Sequence, residues 1–278
     1  MTAPYVALLA GEGKMPLVAI QGIHASGKRV FLLALHNITS QELSSLADDV
    51  IWLHLTQLGK AIRECRKRTI HELIMAGRVP HTSVFSLSLL RMDWTTIKTW
   101  FSLPDKRGDT ILGGIANAFT KRGITVMDST TYLQDHMAKL GVLTRARPSS
   151  KAMDDVFFGL KLAKEMGRLN IGQTVVIKNK TIVAVEAMEG TDKCLERAGE
   201  IAGKGCVVIK MPKSNQDMRF DVPTIGVNTI HKLAKIGATA LAIEAGKTLI
   251  IDDETIEVAN GLGIAIVSMS AEETENGQ

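Results

Sequence analysis

Aromatic residues make up only 4% of this 278-residue chain, too few to furnish the stacking platform on which proteins hold single-stranded nucleic acid. Nucleic acid is therefore not an expected partner. Cysteine is scarcer still: Cys65, Cys194 and Cys206 stand far apart with no Cys-x-x-Cys pair. Neither a disulfide framework nor a thiolate zinc site is suggested, and a reducing cytoplasm is the expected setting. No apolar run approaches the roughly 18 to 20 residues needed to cross a bilayer, so any membrane contact is expected to be peripheral. Residues 1–6 carry no charged stretch ahead of an apolar one, and a secretory signal is not expected. The seven histidines show no His-x-His or His-Glu-x-x-His spacing, which leaves zinc hydrolase chemistry without support. No Gly-x-Ser-x-Gly elbow is present, so a serine hydrolase has no local signal either.

What is there is a composition able to bury a substantial core, 45% hydrophobic and 22% charged. The formal charge of +4 is unevenly spread: residues 1–145 hold 17 basic and 11 acidic side chains, the remainder 16 and 18. The first half is thus the expected partner of something anionic, a phosphorylated ligand or an acidic lipid surface.

Short apolar runs alternate with helix-period segments. Strands are expected at 5–10, 30–35, 51–55, 72–75 and 124–127, and helices at 14–26, 57–67, 110–122 and 131–140. That alternation predicts a parallel sheet with crossover helices, a Rossmann-like domain over 1–140. Basic, turn-prone residues 141–150 read as a linker, and 151–278 as a mixed α/β catalytic domain. In this second half a helix is expected at 151–167 and a hairpin around Asn179-Lys180 that lacks the usual glycine. A βαβ set follows from Cys206 to Val267, and Glu272–Gln278 reads as a frayed acidic tail. The fold class is therefore α/β with two domains.

Gly11-Glu12-Gly13 lies between the first strand and a helix that begins near Pro16. Such a turn suits a phosphate at the helix amino terminus, or is a plain tight βα turn. Pro16 stands where a dinucleotide fingerprint needs its third glycine, and no Gly-Lys-Ser/Thr ending follows this turn. Arg63-Glu-Cys-Arg-Lys-Arg68 reads either as a solvated helix face or as a phosphate or lipid attractor. Glu189-Gly-Thr191-Asp192 opens a helix, and capping explains Asp192. Glu186 and Glu189 remain as candidate metal or supporting groups.

The densest chemistry lies in Lys210-Met-Pro-Lys213-Ser-Asn-Gln216-Asp217-Met-Arg219-Phe-Asp221-Val-Pro223-Thr224-Ile-Gly226. It leaves a buried strand and leads into a helix expected to be capped by Asn228, the place where open α/β sheets put their ligands. Asp217 with Asp221 suits a divalent cation, while Lys213 and Arg219 suit phosphate oxygens. Surface ion pairing is the bland alternative.

This segment, with Asp154-Asp155-Val-Phe-Phe-Gly159, Ile171-Gly-Gln-Thr-Val-Val176, Val185-Glu186-Ala-Met-Glu189-Gly-Thr-Asp192, Glu244-Ala-Gly-Lys-Thr-Leu249 and the amino-terminal Leu8-Leu-Ala-Gly11-Glu-Gly13-Lys-Met-Pro16, resembles the UDP-2,3-diacylglucosamine pyrophosphatases of the LpxI type. The segments Leu58-Gly-Lys60 and Met75-Ala-Gly77-Arg78-Val79 are similar too, so the likeness spans nearly the whole chain. It implies Mg2+-assisted hydrolysis of UDP-2,3-diacylglucosamine to UMP and 2,3-diacylglucosamine 1-phosphate (lipid X) in lipid A biosynthesis. It also implies a homodimer, and transient contact of a cytoplasmic protein with the inner face of the inner membrane.

On that reading Asp221, Asp217 and Arg219 are the expected catalytic residues. Gly11, Gly13, Lys213, Gln216, Thr224, Gly226 and Thr191 are the expected substrate contacts, with Asp221, Asp217 and Glu189 as metal ligands. Glu12 departs from the small residue often found between the two glycines, and is expected to point away or to serve the metal. A non-catalytic Rossmann-like protein that binds a nucleotide or phospholipid is the alternative function. An oxidoreductase or glycosyltransferase is a weaker third, because Pro16 breaks the dinucleotide pattern.

Overall fold

A computed structural model describes residues 3–80, 92–213, 216–270 and 272–273. His81 and the tail from Thr274 to Gln278 lie outside the described residues. The chain forms two compact units, one comprising 1–134 together with Asp217–Asp221, the other comprising 135–216 and 222–278. Both are α/β, the first on a parallel sheet and the second on a mixed one.

In the first unit, β1 (Tyr5–Ala10), β2 (Arg29–Leu35), β3 (Asp49–Leu53), β4 (Glu72–Ala76) and β5 (Thr125–Val126) form a sheet of order β3-β2-β1-β4-β5. All pairs are parallel, from Tyr5↔Arg29 to Leu73↔Val126. Its inner strands are continuous apolar runs, as a sheet covered on both faces requires. The covering helices include α1 (Met15–Ala25), α2 (Leu58–Lys67), α3 (Trp94–Ser102) and α4 (Gly108–Thr120). Phe31, Leu33, Leu73 and Phe119 are fully buried in its core.

The helix expected at 131–140 does not form; the stretch is turns, with one short 3-10 segment at Gln134–His136. Asp128 explains the break. Its carboxylate accepts from both the backbone and the hydroxyl of Thr130, while the Thr131 hydroxyl donates to the Asp128 carbonyl. Side chains that bond nearby backbone in this way compete with the helical ladder. Helix α3 was not anticipated from the sequence.

In the second unit, β6 (Gly141–Val142), β7 (Thr174–Lys178), β8 (Thr181–Val185), β9 (Val207–Lys210), β11 (Ala240–Glu244) and β13 (Ala265–Met269) assemble in the order β6-β13-β11-β9-β7-β8. Strands β9, β11 and β13 are mutually parallel, while β6, β7 and β8 join antiparallel. A separate parallel pair joins β10 (Thr224–Ile225) to β12 (Leu249–Ile250). Helices α5 (Ser150–Arg168), α6 (Gly190–Ala202), α7 (Val227–Lys235) and α8 (Thr255–Gly261) complete it. Within the segment read as a linker, Gly141–Val142 is thus a strand, and Ser149 caps α5 by accepting from the Ala152 N–H.

The hairpin expected around Asn179-Lys180 forms, with both turn residues at positive φ, 53° and 56°. A type I′ turn demands that geometry and ordinarily recruits glycine. Here the buried Asp155 carboxylate from α5 accepts the N–H groups of Asn179 and Lys180 at 2.9 and 2.6 Å. A helix side chain therefore supplies what the turn residues lack. Asp155→Ala is expected to lower unfolding free energy by about 1–3 kcal/mol, since it strips two turn donors of a charged acceptor. A urea midpoint equal to that of the unaltered protein would refute this.

Candidate functional site

The order β3-β2-β1-β4-β5 reverses direction between β1 and β4, and an open sheet places its ligand crevice outside the carboxyl ends of strands at such a switch point. The loops there are Gly11-Glu12-Gly13 after β1 and Gly77-Arg78 after β4. They are laced together: Gly11 N–H donates to Ala76 O, and Glu12 and Arg78 exchange backbone bonds at 2.8 and 3.0 Å. A Cβ on Gly11 would lie 2.5 Å from the Arg78 carbonyl oxygen, so this glycine is required by close packing of the two loops. Gly13 is different. At φ 95° its Cβ position meets nothing within 4 Å, and it leads directly into α1, which has no side-chain cap and no acid in its first turn. That combination can take an anion. Glu12 points to the Arg78 guanidinium, with Oε1 accepting from Nε at 2.9 Å and Nη2 at 2.8 Å. Its negative charge near the turn is thereby compensated, and Arg78 is a cation at the crevice that no sequence spacing singled out.

The five residues Asp217–Asp221 belong to this same unit. Ser129, just past β5, holds them: its N–H donates to the Met218 carbonyl at 3.0 Å, and its hydroxyl oxygen lies 2.5 Å from Met75 O and 2.7 Å from Arg219 O. Phe220 packs against the core of the unit. The segment is a turn in which Phe220 and Asp221 donate to the Asp217 carbonyl. Both Asp217 oxygens accept from Arg219, Oδ2 at 2.6 Å from Nη2 and Oδ1 at 2.9 Å from Nε, and Oδ1 also accepts the Arg219 N–H. Asp217 thus anchors the arginine. The hydrogen bond from Arg219 holds its carboxyl below the usual range, and Arg219 is raised by the same contact. Asp221 is half-buried at the end of the turn.

In the second unit the carboxyl edge of β9 carries Lys210, whose buried ammonium donates to the Thr224 carbonyl at 2.7 Å and so ties β9 to β10. Beyond it Lys213 N–H donates to Gln216 Oε1 at 2.7 Å. The Thr224 hydroxyl donates to Val222 O. Asn228 does not cap α7; the cap residue is Gly226, and the Val227 N–H donates to Asp252 Oδ2 at 2.8 Å. A Cβ on Gly226 would meet that same carboxylate at 2.5 Å. The anion at this helix terminus is the protein's own, arriving from the turn before α8.

Thr191, in the first turn of α6, donates its hydroxyl to the buried Glu186 at 3.0 Å, with Thr174 Oγ1 3.5 Å away. Glu189 caps the backbone of Ala187 and pairs with Arg197 at 2.8 Å. Its own backbone N–H and these partners hold its carboxyl below the usual range. Asp192 pairs with Lys232.

Of the three carboxylates expected to bind metal, Asp217 and Glu189 are therefore each paired with an arginine. Among the described residues no three His, Cys, Asp or Glu side chains converge as a metal cluster. Mg2+ commonly keeps several waters and takes one or two carboxylates plus substrate phosphates.

Two α/β units, the first with a switch-point turn at the foot of an uncapped helix and a docked acidic and basic loop beside it, define a two-domain α/β protein suited to a phosphorylated ligand. The LpxI N-terminal domain family matches residues 5–136 and the LpxI C-terminal domain family residues 139–267. UDP-2,3-diacylglucosamine pyrophosphatase LpxI of Caulobacter vibrioides is 30% identical over 278 residues, spanning 96% of this chain and 98% of its own. The chain belongs to the LpxI family. Among solved structures, a biotin carboxylase domain of a thermophilic 2-oxoglutarate carboxylase overlaps at TM-score 0.27 and 7% identity, over 62% of this chain and 34% of its own. Biotin carboxylase of Campylobacter jejuni overlaps at 0.23 and 12%, over 71% and 42%. Overlaps so slight carry no structural or functional weight.

The Asp217–Arg219 pair makes a pH prediction. Because the native carboxyl is depressed, its contribution is fully present above the unfolded value of about 4 and is lost as pH falls through the lower native value. The stability difference between the unaltered protein and Asp217→Asn should be constant from about pH 5 to 7 and shrink as pH falls below the ordinary carboxylate value of about 4. A difference independent of pH across that range would refute the pairing.

Proposed function

We propose that the protein hydrolyses the pyrophosphate of UDP-2,3-diacylglucosamine, releasing UMP and 2,3-diacylglucosamine 1-phosphate in lipid A biosynthesis. The observation that carries this reading is the match to the Caulobacter vibrioides enzyme along 96% of the chain. The residues of the Asp217–Asp221 turn supply a chemistry that suits it.

Hydrolysis of a phosphoanhydride needs a positioned water, relief of the charge on the phosphate oxygens, and a departing phosphate. Asp221 is the group assigned to orient and deprotonate the water, at the end of a turn pinned by Ser129 and Phe220. Water adds hydroxyl to one phosphorus as the bridging P–O bond breaks, and the displaced phosphate leaves as the phosphomonoester. Arg219 is the cation assigned to the developing negative charge, and its hold on Asp217 means it need not be ordered during the reaction. Gly13 and the amino terminus of α1 offer backbone dipoles to the same kind of anion. Lys213, Gln216, Thr224, Gly226 and Thr191 remain the proposed substrate contacts of the second unit, with Lys213 as their cation. Mg2+, held by Asp221 and phosphate oxygens, would supply charge neutralisation.

A cytoplasmic setting, peripheral attachment to the inner membrane and a homodimer complete the proposal. Among the described residues no helix is long and apolar enough to cross a membrane.

Purified protein with Mg2+ should release UMP from UDP-2,3-diacylglucosamine, and absence of release sinks the hydrolase reading in favour of binding without turnover. Asp221→Ala should lower kcat by about a thousandfold or more while leaving the melting temperature unchanged. Turnover within a few-fold of the unaltered enzyme would move the chemistry to another residue.

A further inference from the structure

Helix α3 is firmly mounted and yet buries none of its nine residues. Its mounting is a shared cap. Asp93 accepts the Thr96 N–H at 2.9 Å through Oδ1, and through Oδ2 accepts the Lys60 N–H in the first turn of α2 at 3.1 Å. The Thr96 hydroxyl in turn accepts the Leu58 N–H at 3.1 Å and donates to Thr56 O. The two helices are therefore bolted together at their amino ends.

What they turn outward is unusual for a surface with no partner. On α3 the exposed positions Trp94, Lys98 and Phe101 recur at i, i+4 and i+7, which places them on one helical stripe. Trp94 is 78% exposed and Phe101 70%. Just past the helix, Lys106 donates to Trp100 O at 2.5 Å and sits 4.7 Å over the Trp100 ring, adding a cation at the same end. On α2 the exposed stripe is Arg63, Arg66 and Lys67, all basic. Arg63, Arg66 and Lys98 make no ion pair among the described residues, although carboxylates pair with most neighbouring cations. Exposed aromatic rings are costly against water, and such rings together with unpaired cations are the composition of interfacial membrane anchors. Indole and phenyl rings settle at headgroup depth, and each cation near an anionic surface adds about 1 kcal/mol.

We propose that α2 and α3 form a docking face for an anionic phospholipid bilayer, with Trp94 and Phe101 inserting into the interface and Arg63, Arg66, Lys67 and Lys98 meeting the headgroups. The proposal deepens the reading of the protein as an enzyme of an amphiphilic substrate, because it identifies where the chain meets the surface that holds such a lipid. It does not depend on the position of the reacting groups.

Flotation of the full chain with substrate-free vesicles tests it. The unaltered protein is expected to float with vesicles of phosphatidylglycerol and phosphatidylethanolamine, to stay behind with pure phosphatidylcholine, and to be released by salt. Trp94→Ser with Phe101→Ser, and separately Arg63→Gln with Arg66→Gln and Lys67→Gln, should each lower the bound fraction by about fivefold or more. UMP release from detergent-dispersed substrate should stay within about twofold of the unaltered enzyme, since none of these residues is placed in the site. Phe101→Ser alone gives the same reading should the double substitution lower the melting temperature. Failure of the unaltered protein to float, equal flotation with phosphatidylcholine, or variants that float like the parent would each overturn the proposal. A variant that changes molecular mass in light scattering but not flotation would make the face a contact between copies, and would overturn it as well. Loss of the hydrolase reading with flotation as expected would leave the docking face standing.

Discussion

The Ser129 hydroxyl, between the carbonyl oxygens of Met75 and Arg219, is the contact on which the candidate site depends. It joins the end of β4 to a five-residue turn whose Arg219 lies 90 positions beyond Ser129 in the chain. A hydrogen bond of this kind contributes about 1 kcal/mol net, and partial burial of Phe220 adds on the order of 1–2 kcal/mol. Neither term is large, but together they fix the turn, and the turn fixes Asp217, Arg219 and Asp221. The positions of the charged groups thus follow from one aromatic anchor and one buried hydroxyl.

Charge compensation is the second organising feature. Glu12 is matched by Arg78, Asp217 by Arg219, Glu189 by Arg197, and Asp192 by Lys232, while Asp252 is spent on the helix amides at Val227. Acids that would repel a pyrophosphate are neutralised locally, and several of the arginines are oriented by them. Partly exposed pairs of this sort add little stability. What they do is hold guanidinium groups in fixed orientations, so that any anion meeting them there would bind at a lower ordering cost.

Much of this architecture was legible in local sequence. The parallel strands of the first unit are apolar runs bounded by polar turns, and their limits fell within a few residues of expectation. The Asn179-Lys180 hairpin was readable from the two β-rich runs around it, but not the reason it tolerates two left-handed residues without glycine: Asp155 reaches it from a helix 24 positions earlier. The stretch 131–140 misled because its apolar spacing suggested a helix while Asp128 and Thr130 were closing a turn. Gly11 and Gly13 looked alike as a pair and differ in three dimensions, one required by packing against Arg78 and one by its backbone angle. Arg78, Ser129 and Asp252 carried no spacing signal at all, since single polar residues in loops have none.

Periodicity and composition, being properties of neighbours in the chain, were enough to establish two α/β halves, parallel pairing in the first, and a charged loop between Lys210 and Gly226 worth attention. Motif likeness along the chain was enough to place it in its family. Which unit the Asp217–Asp221 turn belongs to, which carboxylates are already matched by arginine, and which helix faces are left to solvent were settled by contacts between residues far apart in sequence. Those contacts depend on how side chains meet once the sheets are assembled, and no local spacing encodes that.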